Sequence, residues 1–429
     1  MRTRLRSLVH LVHFIGAAEW VYQAALGGFV LGLLASIFQL PQMVAVVLAA
    51  FGGALGLVLL VKDTMSLVGR WSDWTMRRRN SPLSFRREVH VPGLPTIVAT
   101  GAGRAAIDER VDLLLPDATN RLRWGEVPYS LPSTLASAAP YVLRRSARGR
   151  WPFNGPNVSL ATDVSCDTVL AGTEVVTREG DFYSALCSNE LTGWVLSRDG
   201  AEFDFWGRYL FDSRGSFISL AASELNNGIG VSTLAVTTDN YVVITLQSPH
   251  SQTSPGLWAP SGSGALEPRD IQHGGLLTAA ICRGAERELR EETRIAETSI
   301  YGSTVIGYSR WLDRGGKPEF YCLTRLRVSS RELGKLGQVH PPLSEERLWT
   351  SGLTTVALSD GVGASWTPTA GSLAERPACW RESGLIVDDH VLDDSVSVSL
   401  ELALDALARQ FTRRPALLSE IPASTHASA

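Results

Sequence analysis

Two kinds of pattern divide this chain of 429 residues. The first is a stretch with no charged residue at all, Trp20 to Val61, 42 positions long. A helix rises about 1.5 Å per residue, so this run reaches roughly 63 Å, about twice the hydrocarbon thickness of a bilayer. At its middle stands Gln39-Leu40-Pro41-Gln42, where the proline and the amides suit a tight turn. The pattern predicts two spanning helices, 20–38 and 43–61. The second pattern is β-like. Short apolar runs separated by turn residues begin near Val158, among them 173–177, 193–197 and 203–211. Ile229–Thr237 and Tyr241–Gln247 then flank Thr238-Asp239-Asn240 and read as a hairpin. A helix follows over about 275–293, with Leu276, Ile281, Ala285 and Leu289 as its packing face and Cys282 in the core beside them. Strands come after it around 303–309 and 319–326. Residues 395–410 close the pattern with an amphipathic helix carrying Leu400, Leu402, Ala403 and Leu407.

Charge orients the membrane hairpin. Arg2, Arg4 and Arg6 precede it, and Lys62, Arg70 and Arg77–Arg79 follow it, whereas the turn has no basic residue. The positive-inside rule therefore puts both termini and everything after the hairpin on the cytoplasmic side of the inner membrane, with Trp20, Tyr22, Trp71 and Trp74 as interfacial anchors. A cleaved signal peptide is the competing reading. The second apolar run follows at once and no small-X-small site separates the two, which argues against cleavage. Gly28/Gly32 and Gly52/Gly56 each let a helix backbone approach closely. They serve either a homodimer or the packing of the hairpin on itself.

The boundaries that follow are a hairpin with basic flanks over 1–79, a juxtamembrane linker region over 80–157, either a basic segment against lipid or a partly folded linker with a few strands such as the apolar stretch 96–100, and a β-rich extension over 158–225. A catalytic or recognition domain occupies 226–414, and a disordered tail 415–429. A net charge of −3 argues against a dedicated nucleic-acid binder. Five widely spaced cysteines without a CxxC pair argue against structural zinc and fit a reducing compartment.

The chemistry-bearing segment is Arg287-Glu288-Leu289-Arg290-Glu291-Glu292. Glu288, Glu291 and Glu292 stand at i, i+3 and i+4 and project from one helix face. Such like charges repel by a few tenths of a kcal/mol per pair. The repulsion becomes attraction when a hard divalent cation sits among the carboxylates.

This segment resembles the core of the Nudix hydrolase motif. The resemblance implies an α/β/α sandwich around a mixed sheet, joined here to the two-helix transmembrane hairpin. It also implies Mg²⁺ or Mn²⁺ held by Glu288, Glu291 and Glu292, with catalysis by Glu291, Glu292 and Arg287. Arg287 would orient the glutamates, and one glutamate or another carboxylate would act as base. The substrate implied is a nucleotide-type small molecule, a nucleoside diphosphate linked to another group. Arg314, Lys317 and Glu319 enter a predicted strand and are placed to meet its phosphates. The full family pattern has a glycine where this chain has His273, a glutamate at Ala279 and a glycine at Arg294, followed by an apolar residue, here Ile295. Glu267 or Asp270, in a loop longer than usual, would fold back to replace the lost glutamate. The departures leave a second reading open, in which a Nudix-like domain senses a nucleotide without efficient turnover and the hairpin transmits the signal. That pairing resembles parts of bacterial anti-phage signalling systems.

Overall fold

The computed structural model describes residues 73–79, 89–146, 154–249, 254–272, 275–337, 350–357, 385–387, 390–392 and 396–423, together with residues 10 and 251. The hairpin and its glycine pairs lie outside these residues, as do His273 and Gly274. Among the described residues no helix is long and apolar enough to cross a membrane. The chain divides into two compact units. One holds residues 1–79, 131–155 and 182–205, and the other 80–130, 156–181 and 206–429.

The smaller unit carries a three-stranded antiparallel sheet, Trp74–Arg78 against Trp194–Arg198 against Ala201–Phe203. Trp74, expected at a membrane interface, instead lies in this sheet, 3 % exposed and edge-on to Phe203. The run 203–211 is also not one strand, because Phe205–Tyr209 is a short helix. Its aromatic residues favour strands locally, and tertiary packing overrides that preference.

The larger unit is a mixed α/β fold built on a nine-stranded mixed sheet. Its strands, in chain order, are β1 (Thr96–Ala99), β2 (Arg104–Ile107), β3 (Gly230–Val236), β4 (Tyr241–Gln247) and β5 (Trp258–Ala259). They continue with β6 (Gly262–Ala265), β7 (Ile300–Trp311), β8 (Lys317–Leu326) and β9 (Thr350–Ala357). The order across the sheet is β5-β4-β3-β8-β7-β2-β1, with β9 on β4 and β6 on β3. Only β3 and β8 run parallel, Glu319 opposite Gly230 and Arg325 opposite Val236. The β3–β4 hairpin turns at Asn240, whose φ of 63° is one that Asn tolerates. The stretch read as a linker supplies β1 and β2, which extend the β7 edge.

β3 is buried at every position, as a strand covered on both faces must be. Its side chains alternate between two cores. Leu234 and Val236 pack with Val242, Ile244, Tyr321 and Leu323 against the helix α3 (Val398–Arg413). Ala235 packs with Val243 and Leu326 against Leu289 of the helix α2 (Leu277–Thr293). The two helices therefore cover opposite faces. The α3 face is the amphipathic one expected, with Leu400, Leu402, Ala403 and Leu407 all buried. The tail is not wholly irregular: Leu417–Glu420 forms a helical turn, and Leu417 and Ile421 insert into the α3 core. Two apolar residues at i, i+4 suffice to hold it there.

A smaller sheet supports one end of α2. Its strands are Leu122–Trp124, Val175–Asp181 and Pro156–Leu160. The amide of Leu277 donates to Asn120, and Leu122 donates to Gly275. The first of these bonds satisfies a helix N–H in place of a side-chain cap, which α2 lacks. Leu276 is consequently the residue before the helix, 37 % exposed, and Leu277 takes the packing place expected of it.

Candidate functional site

Helix α2 forms because apolar Leu277, Ala280, Ile281, Ala285 and Leu289 recur at helical spacing and bury one stripe. Cys282, expected in the core, is half-buried, while Cys322 of β8 beside it is fully buried. The helix lies close on β6, and two glycines permit it. A Cβ at Gly262 would fall on the backbone of Leu289, and one at Gly264 would fall on the carboxylate of Glu288. Gly284 makes room for Leu266 and brings Asp270 to the helix.

Arg287 is the centre of the site. Its Nη2 donates to Ala265 O at 2.7 Å and to Asp270 Oδ2 at 2.9 Å, and Nε donates to Asp270 Oδ1 at 3.1 Å. Nη1 reaches Glu288 Oε1 at 2.7 Å and Glu291 Oε2 at 3.1 Å, with Glu267 Oε1 at 3.7 Å. Burial by itself lowers the pKa of this guanidinium, but Glu288, Asp270 and Glu267 more than offset it and hold the proton firmly. The loop folds back, but Glu267 and Asp270 arrive at Arg287 rather than at the place of the missing glutamate: Asp270 takes Nε and Nη2, and Glu267 lies by Nη1 with Glu288 and Glu291.

The three helical glutamates differ. Glu291 is the most open, its side chain 36 % exposed, and it also accepts from Arg269 Nη2 at 2.9 Å. Glu288 is largely buried, and that burial pushes its carboxyl up to about 7 against the pull of Arg287. Burial, and next the charge of Glu288, push Glu292 well above the usual carboxylate range. Glu292 Oε1 accepts weakly from the amide and hydroxyl of Ser263, at 3.3 and 3.4 Å. Its Oε2 is buried without a formed hydrogen bond, with Thr350 standing beside it.

A divalent cation fits this donor set in one respect. An orphaned buried carboxylate oxygen and a second carboxylate cradled by Gly264 are oxygen ligands held out of water. Glu288 and Glu291 nonetheless turn to Arg287, and among the described residues no three acidic, histidine or cysteine side chains form a ready metal cluster.

Arg314, Lys317 and Glu319 are not part of this constellation. Glu319 is buried on β8 with Tyr321 and Leu323, the face covered by α3, whereas the glutamates of α2 lie on the other face. There Glu319 accepts from Ser232 at 2.8 Å and pairs with Lys317 at 2.5 Å. Arg314 stacks on Trp311, 4.9 Å from its ring centre. The expectation that these residues meet phosphate together with α2 is thus corrected: odd-numbered positions of β8 point away from α2. The sequence Pro260-Ser261-Gly262-Ser263-Gly264 reads as a glycine-rich loop before the helix; its last three residues instead open the strand β6 and bring Ser263 to Glu292.

No protein-family model matches the chain, and no curated protein does. Among solved structures it is similar to DR0079 from Deinococcus radiodurans, at 16 % identity and a TM-score of 0.21, over 35 % of this chain and 82 % of that one.

Proposed function

We propose that this chain is a Nudix-type hydrolase that uses Mg²⁺ or Mn²⁺ to cleave a nucleoside diphosphate linked to another moiety. The hairpin read in residues 20–61 would tether it to the cytoplasmic face of the inner membrane. The observation that carries the reading is the pairing of Glu292, with its orphaned buried oxygen, and Glu288, seated over Gly264. When bound, the cation supplies neutralisation of the phosphate charge and a water of lowered pKa. Glu288 and Glu292 would hold it. Glu291, the most solvent-accessible of the three, would take the proton of the attacking water. Arg287 is a positioning residue, since four carboxylates and a carbonyl occupy its guanidinium.

The test is hydrolysis by the purified full-length chain with Mg²⁺ or Mn²⁺, across ADP-ribose, dinucleotides and nucleoside triphosphates. Glu291→Gln and Glu292→Gln should each lower the rate by at least ~100-fold, the size of effect expected of a general base or a metal ligand. A full rate in both variants would sink the reading. The engagement of Glu288 and Glu291 by Arg287 favours a second reading, a nucleotide sensor coupled to the hairpin. Binding from the same panel without turnover selects it.

A further inference from the structure

Charge is divided unevenly between the two units. The smaller one, residues 1–79, 131–155 and 182–205, has 13 basic and 7 acidic residues, a balance of +6. The whole chain stands at −3, which leaves −9 for the larger unit. Within the smaller unit the excess is concentrated. Residues 131–155 hold four arginines and no acid, and Arg77, Arg78 and Arg79 close the first strand and follow it. A basic unit in an acidic chain points to a polyanionic surface as its partner.

The arginines of the smaller unit are not equivalent. Arg77 pairs with Glu202 at 3.3 Å, and Arg79 lies in the field of Glu202 and Asp204. Arg78 differs from both. It stands opposite Trp194 in the sheet, and its guanidinium lies over that indole, 5.9 Å from the ring centre. Arg145, in the last turn of the helix Ser133–Ser146, reaches the same ring at 5.5 Å. Among the described residues neither of these two arginines has an ion pair. A helix C-terminus favours a cation, which accounts for Arg145 but not for Arg78 on its strand. Trp194 itself is half-buried, in contrast to Trp74 in the neighbouring strand, which is 3 % exposed. An indole is apolar over its body and polar at its N–H, and so suits a boundary between lipid and water.

We propose that the surface around Trp194, Arg78 and Arg145 docks on an anionic lipid bilayer, with both guanidinium groups on headgroup phosphates and the indole at headgroup depth. Lipid is favoured over other polyanions because the apolar run 20–61 belongs to the same unit. Trp74 follows the end of that run by 13 residues, a link that spans at most about 47 Å. A surface tethered so closely meets the bilayer at high effective concentration. The attraction of an anionic leaflet fades within a Debye length, so docking is close and sensitive to salt. It rests on the hairpin reading for its proximity to lipid and requires neither a metal nor turnover.

The experiment mixes the full-length chain with vesicles of phosphatidylcholine, alone or with about a third phosphatidylglycerol. Flotation is read together with quenching of tryptophan emission by a lipid spin-labelled at its headgroup. The share of Trp194 is the difference between the wild type and Trp194→Phe. That share should be quenched in the anionic vesicles and not in the neutral ones, and salt at about 1 M should reverse the quenching. In Arg78→Gln/Arg145→Gln the ratio of docked to undocked protein should fall by roughly 30-fold. Arg78→Lys/Arg145→Lys should keep most of it, which separates lost charge from lost packing. Equal quenching in the two kinds of vesicle, full quenching in the glutamine pair, or loss in the lysine pair would each overturn the surface. Flotation with anionic vesicles alone, released by salt and lost in the glutamine pair, keeps the surface and removes the hairpin. Salt-resistant flotation with both kinds and no difference in quenching does the reverse. A short single-stranded RNA that binds the wild type but not the glutamine pair, without any dependence on lipid charge, gives the arginines to nucleic acid and overturns docking.

Discussion

Asp112 shows how much one buried residue can connect. It lies on the helix Glu109–Leu114, 1 % exposed, and its Oδ1 accepts the amide of Tyr308 on β7 at 2.8 Å. Its Oδ2 takes Arg409 of α3 at 2.6 Å, and its carbonyl takes Gln410 at 2.5 Å. Burial pushes the carboxyl up to about 6, even against Arg409 and the Tyr308 amide. The folded protein then keeps a proton that the unfolded chain releases near pH 4. Stability from this group is therefore greatest below about pH 4, falls as pH rises toward 6 and is level above it. Urea midpoints of the wild type and of Asp112→Asn, taken at pH 4 and pH 6.5, should show the wild type losing more stability between the two. Parallel losses would remove Asp112 as the cause. Nothing in the sequence marks this aspartate, because its partners lie some two to three hundred residues away.

At the scale of elements, the contact of α2 with β6 sets the site. Gly262 and Gly264 are its two points of closest approach. In Gly262→Ala the new methyl group would meet backbone, which cannot rotate away. The cost should be on the order of 1–3 kcal/mol, read as a lower urea midpoint, with looser binding of any ligand held by Glu288. A midpoint equal to the wild type would show that the helix is free to shift. The helix itself was legible from its apolar spacing and its Arg-Glu-Leu-Arg-Glu-Glu run. The clamp on Arg287 was legible only as a length of loop with two acids, Glu267 and Asp270. Their target depends on how that loop folds, which no local pattern encodes. The helix starts at Leu277 rather than about 275, because no capping side chain marks its first residue. β1 was legible only as a short apolar stretch, Thr96–Thr100, and β2 not at all, because four residues are too short to show an alternation.

At the scale of the whole molecule, the hairpin proposed for residues 20–61 would place the chain at a lipid surface. An impermeant thiol reagent applied to intact cells should label a cysteine introduced at Gln39 and spare one introduced at Val127, which is 75 % exposed and so reactive wherever the reagent reaches. Labelling of Val127→Cys from outside would reverse the topology. Cys282 and Cys322 serve less well as reporters because burial shields them in either case. Unlike the hairpin, which is written in one uninterrupted stretch, the sheet is assembled from segments far apart in the chain.

That dispersal has a consequence for biosynthesis. β2 pairs with β7 through Ala106 and Arg310, so the strand leaves the ribosome roughly 200 residues before its neighbour exists, an interval of about 10–40 s at ordinary elongation rates. Through that interval the Thr96–Ile107 hairpin presents an unsealed hydrogen-bonding edge to every other nascent chain nearby. Its apolar residues, Ile97, Val98, Ala105 and Ile107, stay without their β7 cover until that strand is made, so a chaperone that shields them should raise the yield of folded protein.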